Sequence, residues 1–353
     1  MRTHHQDVIL QGASTLKSKP MSALLAFGCG LAMVSASAVA SAQTCIPFTS
    51  SNEYTQTNLA GTASPFMWQY TNTSGALVSA AAYDDHNTNT LMVGDLNAPH
   101  ATGIGINTGG GLGDVTATYF NGTNYLAFLS SSLGTMAITT SGDSINWSSP
   151  YALTISGAGG LNFLYTPVLQ AYNGKIYVAY VVGSGQLERV YLGSSTDGHN
   201  WTQIGAVSSI APRSRPSMTV YNGNLWMGFT SQGVSGISTV GAPYVGVVVS
   251  GSTFAPNLLQ QGGTWGNSNH SGVFAGILIL PVSVGGQKLY VIGQGTGSSQ
   301  NLYETGSASG NGMPAGTNCS IQLRYTPTGF TNSGLTSIDF QGDHDTGVWY
   351  ATQ

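Results

Sequence analysis

One short block returns three times along this chain, and its return constrains the fold more than any other feature. It reads Tyr119-Phe120-Asn121-Gly122-Thr123-Asn124-Tyr125-Leu126-Ala127-Phe128. It comes back as Tyr172-Asn173-Gly174-Lys175-Ile176-Tyr177-Val178-Ala179-Tyr180, and again as Tyr221-Asn222-Gly223-Asn224-Leu225-Trp226-Met227-Gly228-Phe229. The Asn-Gly pairs stand 52 and 49 residues apart. Asn-Gly tolerates positive φ at both central positions of a type I′ turn, so each block predicts a tight β-hairpin. A small residue (Ala127, Ala179, Gly228) follows two places after an aromatic one, on the same strand face. Small residues there let neighbouring sheets approach closely.

Weaker copies flank the three. Ala82 to Gly94 carries a longer turn with Leu91, Met92 and Val93 as the return strand, and Val282 to Gly293 turns at Gly285-Gly286. A second motif falls between hairpins: Ser141-Gly142-Asp143-Ser144-Ile145-Asn146-Trp147 matches Ser195-Thr196-Asp197-Gly198-His199-Asn200-Trp201 at an offset of 54 residues. An Asp carboxylate in such a turn accepts backbone N–H bonds, and the Trp covers it. Each unit thus reads as hairpin, third strand, Asp-centred turn, outer strand. In the best-defined unit these strands are Thr166–Tyr172, Lys175–Val182, Leu187–Ser194 and Thr202–Val207. Four antiparallel strands repeated at this interval predict an all-β propeller, with five blades favoured and six possible.

The Ser-x-Asp-x-x-Asn-Trp turns resemble shortened Asp-boxes of the sialidase-like superfamily of β-propellers. That resemblance implies that Asp143, Trp147, Asp197 and Trp201 are structural turn residues. It implies an active site on the face opposite the Asn-Gly turns, where arginines hold a substrate carboxylate. The family's N-terminal Arg-Ile-Pro motif is absent here, and Arg215-Pro216-Ser217 is a faint echo in a middle repeat.

Ahead of the repeats lies a segment that reads as a targeting sequence. Arg2, Lys17 and Lys19 precede an apolar run from Ala23 to Val34, and Ala40-Ser41-Ala42 fits a small-x-small cleavage site. Residues 1–42 are expected to be removed, leaving 43–353 as one propeller domain, secreted or periplasmic. Two cysteines would survive, Cys45 and Cys319, and an oxidising compartment favours a bond between them. No later run is long and apolar enough to insert in a membrane.

Only 6 % of the residues are charged, against about 25 % in an ordinary soluble protein. Solubility must come from hydroxyl and amide side chains. Residues 43–353 hold 6 basic and 12 acidic side chains, a balance that argues against nucleic acid as a partner.

The loops entering first strands and joining second to third strands supply the candidate site residues. Asp95 is expected after a second strand, with His100; Asp114 before a first strand; Glu188 and Arg189 before a third strand; Arg213 and Arg215 before a first strand; Trp265 and His270 before another. Asp84 and Asp85 are expected in a tight hairpin turn, with a structural role. A glycoside hydrolase needs two carboxylates across the scissile bond, and Asp95, Asp114 and Glu188 are the candidates. Arg189, Arg213 and Arg215 have the fork that binds carboxylates, and Trp265, His270 and Tyr165 suit a sugar-binding surface. The histidines lack zinc-ligand spacing, so no metal is expected. The loop at Gly109, Gly110, Gly111 and Gly113 opens no helix, so no cofactor is expected either. Binding of glycan or polysaccharide at the loop face ranks first. An exo-acting glycoside hydrolase of sialidase-like type ranks second, and a protein-binding scaffold third. Oligomeric state is not legible.

Overall fold

The computed structural model describes residues 66–85, 88–95, 98–107, 115–159, 162–183, 188–212, 215–231, 243–260, 274–282, 288–295, 301–307 and 319–322. These residues are all strand, turn and loop, and the strands form five sheets, antiparallel except where one two-residue strand joins its sheet in parallel. The first sheet is β1 (Phe66–Thr71), β2 (Leu77–Asp85), β3 (Thr90–Asp95) and β4 (Ala98–Gly105). The second is β5 (Thr116–Phe120), β6 (Thr123–Ser130), β7 (Thr135–Ser141) and β8 (Tyr151–Ala152). A two-residue strand, β9 (Ile155–Ser156), follows before the third sheet: β10 (Val168–Tyr172), β11 (Lys175–Val182), β12 (Arg189–Ser195) and β13 (Trp201–Ala206). The fourth is β14 (Ser217–Tyr221), β15 (Asn224–Thr230), β16 (Pro243–Ser250) and β17 (Thr253–Gln260). The fifth is β18 (Phe274–Val282), β19 (Lys288–Gly295), β20 (Asn301–Ser307) and β21 (Cys319–Gln322). In each sheet four strands pair in chain order, the third sheet gaining β9 as a fifth strand outside β13, and the sheets are the blades of a β-propeller.

The Asn-Gly turns close as their sequence requires. Asn121, Asn173 and Asn222 have φ of 48°, 45° and 47°, each followed by a glycine at positive φ. Each pair joins the first strand of its sheet to the second, so the three turns occupy equivalent corners. The first sheet departs from the sequence reading. Its first hairpin turns at 72–76, where Asn72 Oδ1 accepts from the N–H of Ser74 at 3.1 Å and of Ala76 at 2.9 Å. The segment Ala82 to Gly94 is therefore the second-to-third hairpin of that sheet, one strand later than expected.

Apolar side chains on the sheet faces form three clusters, between the first and second, second and third, and third and fourth sheets. Tyr125 and Ala127 share one cluster and Tyr177 and Ala179 the next, as same-face positions must. A fully buried Leu or Phe contributes roughly 1.5–3 kcal/mol, so these joints carry much of the stability. Polar ties cross the same joints. Trp68 Nε1 donates to Asn124 Oδ1 at 2.8 Å. The Leu169 and Ala171 N–H groups of β10 donate to the hydroxyls of Thr116 and Thr118 on β5, at 3.1 and 2.9 Å. These threonines satisfy backbone donors that no strand of β10's own sheet reaches.

Candidate functional site

Strand direction sorts the connections to two ends of the propeller. First strands run toward the Asn-Gly turns. The third-to-fourth connections, which include both Asp-centred turns, lie at that same end. The other end carries the second-to-third connections and the links between sheets.

The Asp-centred turns are built alike. Asp143 Oδ1 accepts from the N–H of Ile145 at 2.9 Å and of Asn146 at 2.8 Å, and Oδ2 accepts from Asn146 Nδ2 at 2.8 Å. Asp197 accepts from His199, Asn200 and the Asn200 side chain at 2.9, 2.8 and 2.7 Å. The bonds to Asn146 and Asn200 hold both carboxyls well below the usual Asp range. Trp201 Nε1 donates to Gly198 O at 2.9 Å, and Trp147 Nε1 to Ser144 O at 3.3 Å. Every one of these groups is occupied within its own turn.

The second turn is also clamped by its neighbour. Tyr125 Oη donates to Asp197 O at 3.4 Å and Tyr151 Oη to Gly198 O at 2.9 Å, while the Tyr151 ring stacks on His199 with centroids 4.5 Å apart. Burial pushes both phenols above their usual range.

At the opposite end, Tyr165 is half-buried against the joint of the third and fourth sheets. Glu188 lies just before β12, and Arg189, its first residue, is exposed. Arg215 precedes β14 and is 4 % exposed. Its Nη2 donates to Val115 O at 3.1 Å, just before β5, and its guanidinium lies 5.8 Å from the ring centroid of Phe66, which opens β1. A side chain of the fourth sheet that touches the first and second places the entering ends of β1, β5 and β14 around one axis. Asp114, Arg213, Trp265 and His270 lie outside the described residues, as does Cys45; Cys319 opens β21.

Asp95 is the correction. It ends β3, a third strand, so it sits at the Asn-Gly end, away from Glu188 and Arg215. The first sheet turns first at 72–76, one strand ahead of the hairpin that the repeat pattern implies, and this has a converse. Asp84 and Asp85, read from sequence as belonging to a tight structural turn, end β2 at the loop end. Asp84 is wholly buried; Asp85 Oδ2 accepts from Thr88 Oγ1 at 2.7 Å. Burial, with Asp85 and Asp84 beside it, pushes the Tyr83 phenol up to about 12. The signal that locates them is Asn72-Thr73-Ser74-Gly75, a turn sequence ahead of the strand.

Among the described residues no group of three or more His, Cys, Asp and Glu could hold a metal ion, and no helix is long and apolar enough to cross a membrane.

No family model matches the chain, and no curated protein matches it. Three solved structures are similar in outline. A protein of unknown function from Dyadobacter fermentans is 12 % identical with a TM-score of 0.49, covering 75 % of this chain and 84 % of its own. The α-L-arabinanase of Penicillium chrysogenum complexed with arabinobiose is 13 % identical with a TM-score of 0.46, covering 76 % and 82 %. A family-43 endo-arabinanase from Bacillus licheniformis is 16 % identical with a TM-score of 0.43, covering 63 % and 82 %. Likeness at this level assigns no activity.

Proposed function

We propose that this chain is an exported β-propeller that binds glycan or polysaccharide at its loop end. The observation that carries the reading is the asymmetry of the two ends. At the Asn-Gly end three of the first-to-second connections are two-residue Asn-Gly turns, and only the third-to-fourth connections 142–150 and 308–318 are longer than five residues. The opposite end carries the connections 106–115, 157–167, 207–216, 231–242 and 261–273. Long connections on a rigid scaffold are where binding residues concentrate. They are rich in Gly, Ser, Thr, Asn and Gln, with Tyr165, Trp265, His270 and Arg213 among the other residues; Arg215, 4 % exposed and bonded to Val115 O, is left out of the ligand surface. Hydroxyls and amides with a few aromatic faces suit a ligand rich in hydroxyl groups and poor in charge. Export follows from the segment that ends at Ala42.

A glycoside hydrolase is the second reading. The placement of Glu188, Asp84 and Asp85 at the loop end favours it, with Asp114 as a further candidate from the same set of connections. Asp95 has no part in it.

The deciding measurement is a glycan array run beside a panel of aryl glycosides, with Tyr165→Ala and Trp265→Ala as variants. Binding to one glycan class that falls at least tenfold in both variants, without turnover, is the expected result. Turnover abolished by Glu188→Gln would establish the hydrolase. Silence on both panels would remove both readings and leave a protein-binding scaffold.

A further inference from the structure

A groove runs along the rim between the second and third sheets, from His199 and Asn200 at the Asn-Gly end to Gly159 and Phe163 of the loop-end connection 157–167. The chain leaves the second sheet through β8, crosses to the third, and adds β9 parallel to its outermost strand. Ile155 pairs with Trp201 and Ser156 with Thr202. This crossing strap and β13 bound an open groove of about 710 Å³. Alternation along the strap decides what faces it. Leu153 and Ile155 are buried, while Ala152, Thr154 and Ser156 are exposed. Trp201 is buried on β13 and Thr202 is exposed beside Ser156. The groove therefore has an apolar floor and a row of hydroxyls at its surface. His199 and Asn200 lie at its edge, and the imidazole is held flat on Tyr151.

The lining includes no Asp, Glu, Lys or Arg. An ionic ligand would find no counter-charge there, and a purely apolar one would strip water from six polar side chains, those of Thr135, Thr154, Ser156, His199, Asn200 and Thr202, without replacing their bonds. A neutral hydroxylated ligand satisfies both constraints: its hydroxyls exchange bonds with Thr154, Ser156 and Thr202, and its C–H faces cover the floor. We infer that this groove is a second glycan site, selective for uncharged sugar, that engages a polysaccharide also held at the loop end. The inference rests on the glycan-binding reading and names the charge class of its ligand. Two sites on one scaffold raise the apparent affinity for a polymer beyond either alone.

The test uses the full chain, with neutral polysaccharides (an arabinan, a xylan, a β-glucan) and an acidic one (a pectate) in affinity electrophoresis and calorimetry. Three proteins are compared with the wild type: Tyr165→Ala/Trp265→Ala at the loop end, Thr154→Lys/Thr202→Lys in the groove, and all four changes together. Both groove positions are exposed, and an unchanged melting temperature checks the fold. The expected result is a neutral polymer bound by the wild type, weakened at least tenfold by each pair of changes and lost in the combination. The residual binding of the loop-end variant should be insensitive to salt from 0.02 to roughly 0.5 M, because screening acts only on charge. An unaltered affinity in the groove variant, or preference of the loop-end variant for pectate, overturns the groove site. Loss confined to the groove variant keeps this site and removes the loop-end reading. Absence of binding to any polymer removes both.

Discussion

Gly198 shows how one residue couples two blades. It has φ of 76°, and a Cβ there would overlap Cε1 of Tyr125 from the second sheet. Gly174 has nearly the same backbone, φ 72°, but opens onto empty space. The pair separates two costs that usually travel together. Alanine at 174 bears only the left-handed backbone penalty, roughly 1–2 kcal/mol. Alanine at 198 bears that penalty and must also displace a packed aromatic ring whose hydroxyl bonds to Asp197 O. Gly198→Ala should therefore destabilise by about 1–3 kcal/mol more than Gly174→Ala, read from urea midpoints at unchanged m-value. Equal losses would mean that Tyr125 swings aside freely and that the joint is looser than its packing indicates. In the first Asp-centred turn the equivalent position is Ser144, at φ 60°. The glycine is thus demanded by the neighbouring tyrosine as well as by the turn.

At the scale of elements, the Asp-centred turns behave as units with a defined acid response. Their carboxyls have folded pKa values depressed below the unfolded value of about 3.9. Their contribution is therefore fully present above that value, and is lost as pH falls through it toward the lower folded value. Asp143→Asn/Asp197→Asn removes the charge, and places an amide N–H₂ where Asn146 and Asn200 donate. This variant should be less stable at pH 7 but lose less on going from pH 5 to 2.5 than the wild type. Urea titrations at the two pH values check this, and parallel losses would show that other carboxylates govern acid unfolding. Both turns are solvent-facing, so the effect should be modest and shrink with salt. These turns, and the Asn-Gly hairpins, were legible because each is a local solution to a local backbone requirement. The strap was not. Tyr151-Ala152-Leu153-Thr154-Ile155-Ser156 alternates like one short strand, yet it serves two sheets, pairing with β7 and then, in parallel, with β13. Nothing in six residues says that a strand will change partners midway. The first sheet is illegible for the opposite reason: its first turn lacks the Asn-Gly pair, so nothing in the repeat marks β2 as a second strand, and Asp95 ends a third strand at the Asn-Gly end.

For the whole molecule, the question is what joins the sheets other than contact with the next one along. A row of repeats held only by nearest neighbours opens piecemeal, since each interface contributes independently. Arg215 breaks that rule. From the fourth sheet it reaches the backbone before β5 and the ring of Phe66 in β1, so it ties non-consecutive blades across the axis. Its cost in sequence terms is a cation placed in a chain with few charges; its type suits the task, because a planar fork can bond to a carbonyl while one face lies on an aromatic ring. Sequence marked Arg215 as a loop residue facing a ligand, since nothing in Ala211 to Pro216 encodes which other blades lie within reach. Arg215→Ala removes a charged hydrogen bond and a cation–π contact and leaves Val115 O without that donor, a loss of roughly 2–4 kcal/mol. Arg215→Met, which keeps the volume but not the bond, should recover only the packing part. Global stability alone would not distinguish a cross-axis tie from ordinary local packing, but hydrogen exchange would. If Arg215 joins distant blades, its removal lowers protection together in β5 and β14, whose entering ends it spans. The β11–β12 hairpin between them, which it does not touch, should keep its own rate. Loosening confined to β14 would make Arg215 a local prop and leave the ring to its neighbour joints.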